Sequence, residues 1–264
     1  MWPKRYTHLS IKNKQTYAES HGYGLHAEYT KRGMDPSRPG GWSKIKALQN
    51  HLAKYDYLMF MDLDAFVTNP SFKLEWLVER ARLAESDPAG CEPVPLSTPD
   101  VIMTHDWNGP NTGVFLLRNS PFSHWLLETW WSLDWLIGKR YPFEYEQSGL
   151  HYLLQTRTWV EWGKDMPTYK DAPQVAKHFS FLEQCVMNSY VMHPWQKLWG
   201  HGFRGQASYA PGDFIVHFAG KKGAVRHRLV EHYAPLSAGY SPPPDSGSDS
   251  GAGAEPEESE LGGI

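Results

Sequence analysis

Residues 55–70 read YDYLMFMDLDAFVTNP, and the fold turns on how they are placed. Tyr57 to Met61 form an unbroken apolar and aromatic run, and Asn69-Pro70 closes the segment on the far side. A run of that length, bounded by polar residues, predicts a strand buried on both faces in a mostly parallel α/β sheet. The strand would deliver Asp62 and Asp64 to its carboxyl end, the edge at which open α/β sheets bind ligands. Residues i and i+2 of a strand project to one side, so the two carboxylates converge, and a divalent cation would relieve their repulsion. An isolated Asp-x-Asp is more often a pair of surface acids matched by Lys or Arg, so a metal needs support from elsewhere in the chain.

Composition narrows the function classes. The chain has 264 residues, 41 % hydrophobic and 21 % charged, with 12 Trp and 14 Tyr, as suits a soluble α/β protein rich in aromatics. The formal net charge of -3 is unevenly spread, because every acid from Asp245 onward lies in a stretch with no Lys or Arg. The remaining body is close to neutral and has no polybasic face, which argues against nucleic acid as a partner. No apolar stretch is long enough to span a bilayer, and MWPKRYTHLSIKNKQ lacks the apolar centre of a signal peptide. Cys91 and Cys185 permit one disulfide at most and exclude a cysteine-rich zinc site.

Strand and helix patterns alternate along the chain. A short helix is expected within residues 14–26, stopped by Gly22, and a second within WSKIKALQNHLAKYD, where Ile45, Leu48 and Leu52 share a face. SFKLEWLVERARLAES continues as a helix, and DPAGCEPVPLSTP (87–99) is a Pro-rich loop. DVIMTH and GVFLLRNS are strands, the latter starting at Gly113. Ser120-Pro121 supplies a cap and first-turn proline for a helix whose regular Trp and Leu spacing through Ile137 marks its aromatics as mainly core. EYEQSGLHYLLQ is a helix from about Glu144, GDFIVHFAG (212–220) a last buried strand, and VRHRLVEHY a closing helix. Residues 1–236 therefore form one α/β domain, with 237–264 expected to be a disordered acidic tail.

Two further groups support chemistry at the strand ends. His217 ends the last strand, and an imidazole there could join Asp62 and Asp64 in an O/O/N site suited to Mn²⁺ or Mg²⁺. Gly220 and the Lys221-Lys222 pair follow, offering close backbone approach and positive charge to a phosphate. In NGPNTGVFLLRNS, Asn108 and Asn111 flank a proline before a strand; their amides suit sugar hydroxyls and suit turn formation equally.

YDYLMFMDLDAFVTNP, GPNTGVFLLRNS, EYEQSG and GDFIVHFAG, in that order, resemble glycosyltransferase family 34, the galactosyl/xylosyl/mannosyl transferases of plants and fungi. The similarity runs from about Lys12 to Tyr233, and SIKNKQTYAESHGY and GGWSKIKALQNHL also match the family's opening segments. The resemblance implies a GT-A fold and retaining, metal-dependent transfer of a sugar from a nucleotide-diphosphate donor to a glycan or polysaccharide. It implies Asp62, Asp64 and His217 as ligands of Mn²⁺ or Mg²⁺, and Lys44, Asp62, Gly220 and Lys222 as donor-binding residues. It places Glu146 and Gln147 beside the transferred sugar and assigns Asp106, Asn108 and Asn111 to substrate binding. It also implies residence in the Golgi lumen behind a signal anchor and stem, and a first sheet strand preceding this chain. Lys221 departs from the family pattern, where Cys is common, as does the short loop before Asn108. Oligomeric state is left open, a homo-oligomer being compatible. Two alternatives compete: an inactive sugar-binding relative of the same fold, and a haloacid-dehalogenase-like phosphatase, whose Asp-x-Asp is followed by Thr or Val where this chain has Phe66.

Overall fold

Strand β4 (Gly109–Arg118) lies between two apolar cores, and in this computed structural model its neighbours are set by that position. The residues described are 3–28, 35, 37–84, 98–106, 108–137, 145–156, 168–191 and 208–238. β1 (Tyr57–Met61), β3 (Val101–Asp106), β4 and β5 (Phe179–Leu182) form a four-stranded sheet in the order β1-β4-β3-β5. A smaller sheet has the order β2-β7-β6, from Ala65–Val67, Ile215–His217 and Ser189–Tyr190. Side chains alternate along β4 as strand geometry requires: Phe115 and Leu117 enter one core, Val114 and Leu116 the other. The first core packs beneath α2 (Ser43–His51), α4 (Pro121–Trp131) and α5 (Glu146–Leu154); the second lies between the main sheet, α1 (Lys4–His21), α3 (Leu74–Ala84) and the small sheet.

The α/β expectation stands, with the strand directions corrected. β1 and β3 both run antiparallel to β4, and β2 runs antiparallel to β7; among the described strands β3/β5 and β6/β7 are the parallel pairs. The antiparallel pairing comes from a β3–β4 hairpin at Asp106↔Gly109, where a turn two residues long replaces a crossover helix. β4 thus begins at Gly109 rather than Gly113, and Asn111 lies within a strand instead of a turn. β1 is also not buried on both faces: its residues are half-buried, since among the described residues it pairs with β4 alone.

Helix ends follow local chemistry. Gly22 stops α1 in the left-handed region at φ 72, where a residue without Cβ is unstrained. The helix begins at Lys4, about ten residues before the expected start, because its first turns carry no apolar periodicity. Ser120 caps α4 by accepting from the Ser123 N–H at 3.2 Å, with Pro121 in the first turn. Trp130 is buried in the core as the spacing predicted, whereas Trp125 in α4 and Trp135 in the 3₁₀ segment Ser132–Leu136 are 39 % and 41 % exposed. The remaining helices are α6 (Ala172–Ala176), α7 (Gln184–Met187) and α8 (Gly223–Tyr233). The Pro-rich loop, apart from its last two residues, and the acidic tail beyond Ala238 lie outside the described residues, as does Cys91.

Candidate functional site

Asp62 and Asp64 do not sit on one strand. β1 ends at Met61, the Ala65 N–H returns to the Asp62 carbonyl at 3.1 Å, and β2 starts at Ala65. The Asp-Leu-Asp is therefore a turn that carries the chain from the main sheet into the small one. Both ends of the turn are pinned: the Asp62 N–H donates to the Gly113 carbonyl at 2.7 Å, and the Phe218 N–H to the Asp64 carbonyl at 2.9 Å. Phe218 follows His217 at the end of β7, so the same pairing brings the imidazole to the carboxylates. One ligand atom from each of Asp62, Asp64 and His217 lies within 4.8 Å of the others.

The protonation of His217 is fixed by a chain of hydrogen bonds that begins at a backbone amide. The Gly113 N–H can only donate, and it donates to Asn111 Oδ1 at 2.9 Å. The Asn188 group 3.0 Å from that oxygen must then be its Nδ2, which also donates to Thr104 Oγ1 at 3.0 Å. That leaves Asn188 Oδ1 as an acceptor, 2.9 Å from His217 Nδ1. Nδ1 therefore carries a proton, and Nε2, 3.4 Å from Asp64 Oδ1, is the nitrogen that can donate to the carboxylate or, without its proton, ligate a cation. Asn188 and Asn111 are buried at 0 % and 4 % exposure, so water does not compete for these bonds.

A second charged cluster adjoins the first. Lys44 is buried, and its Nζ donates to the Thr112 carbonyl at 2.9 Å and to Glu146 Oε1 at 2.7 Å, with Asp62 Oδ1 at 3.4 Å. Glu146 Oε1 also accepts from Thr112 Oγ1 at 3.0 Å. Trp130 Nε1 donates to the Glu146 carbonyl at 2.7 Å, tying the start of α5 into the core. Gly41 backs the carboxylate so closely that a Cβ there would overlap Glu146 Oε2. Gln147 is half-exposed, its Oε1 3.5 Å from Thr112 Oγ1.

These contacts set the titration. Burial works against the Lys44 charge, but Asp62 and Glu146 outweigh it and hold the ammonium above its ordinary 10.5. Burial likewise opposes Glu146 ionisation, yet Lys44 and Thr112 hold the carboxyl below its ordinary 4.5. Burial, with Asp64 and Glu146, pushes Asp62 up against the pull of Lys44 and His217, whereas the His217 contact keeps Asp64 low in spite of its own burial. The depressed Glu146 stabilises the fold fully above pH 4.5, and that contribution is lost as pH falls through the lowered value. Glu146→Gln is therefore expected to flatten the acid limb of a melting-temperature profile below pH 4.5, which thermal scans at graded pH would check.

The remaining expected residues are placed differently. Asp106, Asn111 and Tyr190 form a closed triangle: Asn111 Nδ2 donates to Asp106 Oδ2 at 2.9 Å and to Tyr190 Oη at 2.8 Å, and Tyr190 donates to Asp106 at 2.7 Å. With its Oδ1 accepting from Gly113 and Asn188, Asn111 has all four of its bonds inside the protein. It is thus placed to organise the site, and its expected contact with substrate has no valence to spare. The Asn108 N–H closes onto Asp106 Oδ1 at 2.6 Å. Gly220, at φ 76, lies in the turn after His217, and the exposed Lys222 forms the N-cap of α8.

Sequence reading missed Asn188, Thr104, Tyr190, Gly41 and Gly113, whose roles come from distant pairing. It also missed Lys14, whose ammonium burial pushes down to about 7 against the pull of Asp64 and Asp62.

The chain is similar to known proteins in sequence and in fold. The profile of the galactosyl transferase GMA12/MNN10 family matches residues 3–87 and 95–227. The probable alpha-1,6-mannosyltransferase MNN10 of Saccharomyces cerevisiae is 28 % identical over 170 residues, 58 % of this chain and 43 % of that protein. An alpha-1,2-galactosyltransferase of Schizosaccharomyces pombe is 28 % identical over 238 residues, 80 % of this chain and 55 % of that one. Xyloglucan 6-xylosyltransferase 1 of Arabidopsis thaliana is 34 % identical over 124 residues, covering 46 % of this chain and 25 % of the relative. The chain spans about half the length, or less, of the curated relatives it matches. The crystal structure of a glycosyltransferase involved in the glycosylation of the major capsid of PBCV-1 superposes with a TM-score of 0.55 at 16 % identity, covering 88 % of this chain and 96 % of that one, and so shares its GT-A fold. With the family profile extending over most of its length, the chain belongs to the galactosyl transferase GMA12/MNN10 family, glycosyltransferase family 34.

Proposed function

We propose that the chain carries the catalytic domain of a retaining, metal-dependent glycosyltransferase that moves a hexosyl or pentosyl unit from a nucleotide-diphosphate sugar to a glycan or polysaccharide. UDP-galactose and UDP-xylose are the favoured donors and GDP-mannose the third, since relatives are named for galactose, xylose and mannose transfer. The observation that carries this is the convergence of Asp62, Asp64 and His217, with the imidazole proton locked on the far nitrogen. Two carboxylates and a neutral imidazole suit Mn²⁺ or Mg²⁺, and these three residues would hold that ion. Bound there, the ion supplies Lewis-acid stabilisation of the negative charge on a departing nucleotide diphosphate.

The protein's own groups complete the site. Lys222 and the N-terminus of α8 offer positive charge and backbone amides to the diphosphate, and Gly220 gives the turn its left-handed geometry. Lys44 carries a second buried cation next to Asp62. Glu146 is already engaged by Lys44 and Thr112, so it stabilises positive charge developing on the sugar rather than attacking it. Gln147 is the neighbouring polar group left part-exposed to orient that sugar. Such an arrangement favours a same-face displacement, with the departing phosphate oxygen taking the acceptor's proton, over the covalent glycosyl-enzyme of retaining hydrolases. Among the described residues no helix is long and apolar enough to cross a membrane. Golgi-lumen residence of the whole protein is part of the proposal.

Isothermal titration of UDP and GDP into the chain, with Mn²⁺ or with EDTA, tests it. One nucleotide is expected to bind in Mn²⁺, and EDTA or Asp64→Ala is expected to weaken that binding at least tenfold, in line with the loss of a metal ligand (on the order of 10-fold or more). A folded chain that binds neither nucleotide would overturn the reading.

A further inference from the structure

The turn that carries Asp62 and Asp64 leads into β2, the edge strand of the small sheet, and an edge strand leaves one row of backbone groups unpaired. Here that row faces α1. Carbonyls of alternate residues point the same way, and each meets a side chain from one face of the helix. Ser10 Oγ donates to the Leu63 carbonyl at 2.5 Å, Lys14 Nζ to the Ala65 carbonyl at 2.6 Å, and Asn13 Nδ2 to the Val67 carbonyl at 2.9 Å. The Val67 N–H returns to Asn13 Oδ1 at 2.8 Å. Lys14 Nζ also donates to Ser10 Oγ at 2.8 Å, joining the two donors nearest the turn. Ser10 and Asn13 are buried at 0 % and 1 % exposure. Residues 10, 13 and 14, on one face of α1, thus meet the carbonyls of Leu63 in the turn and of Ala65 and Val67 in β2.

Asn13 serves the strand body, whereas Ser10 and Lys14 grip the carbonyls of Leu63, between the two aspartates, and Ala65, directly after them. We propose that Ser10 and Lys14 are positioning residues for the metal site: they fix the backbone from which Asp62 and Asp64 project, without touching the ion. This rests on the metal reading above. The sign of the effect separates it from simple electrostatics. Lys14 is a cation near two carboxylates, so removing its charge alone would tighten the binding of another cation. Loss of positioning would weaken it.

The test is Mn²⁺ affinity of the full chain without nucleotide, measured by electron paramagnetic resonance for the parent, Ser10→Ala and Lys14→Met, with near-ultraviolet circular dichroism confirming the fold. Both variants are expected to bind Mn²⁺ at least fivefold more weakly, a threshold set just below the roughly 10–100-fold loss seen when residues that orient metal ligands are removed. Ser10→Ala removes one oxygen and places a strong helix former, so it keeps the test alive if Lys14→Met does not fold. Affinity reduced less than fivefold, or increased, in either folded variant overturns the proposal even if its melting temperature falls, for then the contact is only structural. A parent chain that binds no Mn²⁺ would instead overturn the metal reading and this proposal with it.

Discussion

Gly113→Ala is expected to reduce Mn²⁺ affinity more than 100-fold while leaving the fold assembled. Gly113 has an ordinary backbone conformation, so the demand for glycine here is one of space. A Cβ at this position would overlap His217 Cε1 and come within 3.0 Å of Asn111 Oδ1 and Asp62 Oδ2. None of these neighbours can yield separately: His217 is held by Asn188, Asn111 has four internal bonds, and Asp62 hangs from the Gly113 carbonyl. The methyl would therefore displace the imidazole, two ligands at once being disturbed by one carbon. Overpacking of this kind costs about 1–3 kcal/mol of stability, so the protein would still fold. Mn²⁺ titration beside a thermal melt checks the pair of outcomes. Affinity within threefold of the parent would mean that His217 does not hold the ion.

Lys44→Met is expected to be the most destabilising of the substitutions considered. It leaves Glu146 buried and without its ion pair and removes the cation beside Asp62. Breaking a buried pair from one side costs roughly 3–5 kcal/mol, because the remaining charge is stranded away from water. For a domain of this size that corresponds to a drop on the order of 10 °C in melting temperature. Lys44→Met combined with Glu146→Leu removes both charges, so much of the lost stability should return, as replacement of both partners is often near neutral. If the proposed function holds, transferase activity should not return, because the double variant still lacks the positive charge beside Asp62 and the negative charge that the proposal sets against the sugar. Recovery of activity along with stability would show that the pair serves the fold alone. Thermal melts and donor hydrolysis on the parent and the two variants separate these outcomes.

How far the sequence could be read depended on whether a signal was local. The aspartates, the strand ending in His217, the cap at Ser120-Pro121 and the stop at Gly22 are each written within a few residues, and the structure has all four. Asp62, Asp64 and His217 were legible because the short apolar runs Tyr57–Met61 and Phe214–Val216 end at or just before them. The direction of the strands was not legible, since a buried strand looks the same whichever way its neighbour runs; the two-residue β3–β4 connection decided it.

Hydrophobic periodicity and turn residues act over short distances, so they already specify an α/β chain with two carboxylates and an imidazole at strand ends. What surrounds those groups depends on pairing across the fold. Asn188 fixes the His217 proton from 29 residues away, Lys44 of α2 meets Glu146 at the start of α5, and Ser10 reaches Leu63 over 53 residues. A hydrogen bond depends on where its partners arrive in space, and pairing across sheets brings them there without leaving any period in the sequence. Asn111 makes the point most plainly: as a residue it offers two donors and two acceptor sites to a sugar, and the fold has already filled all four.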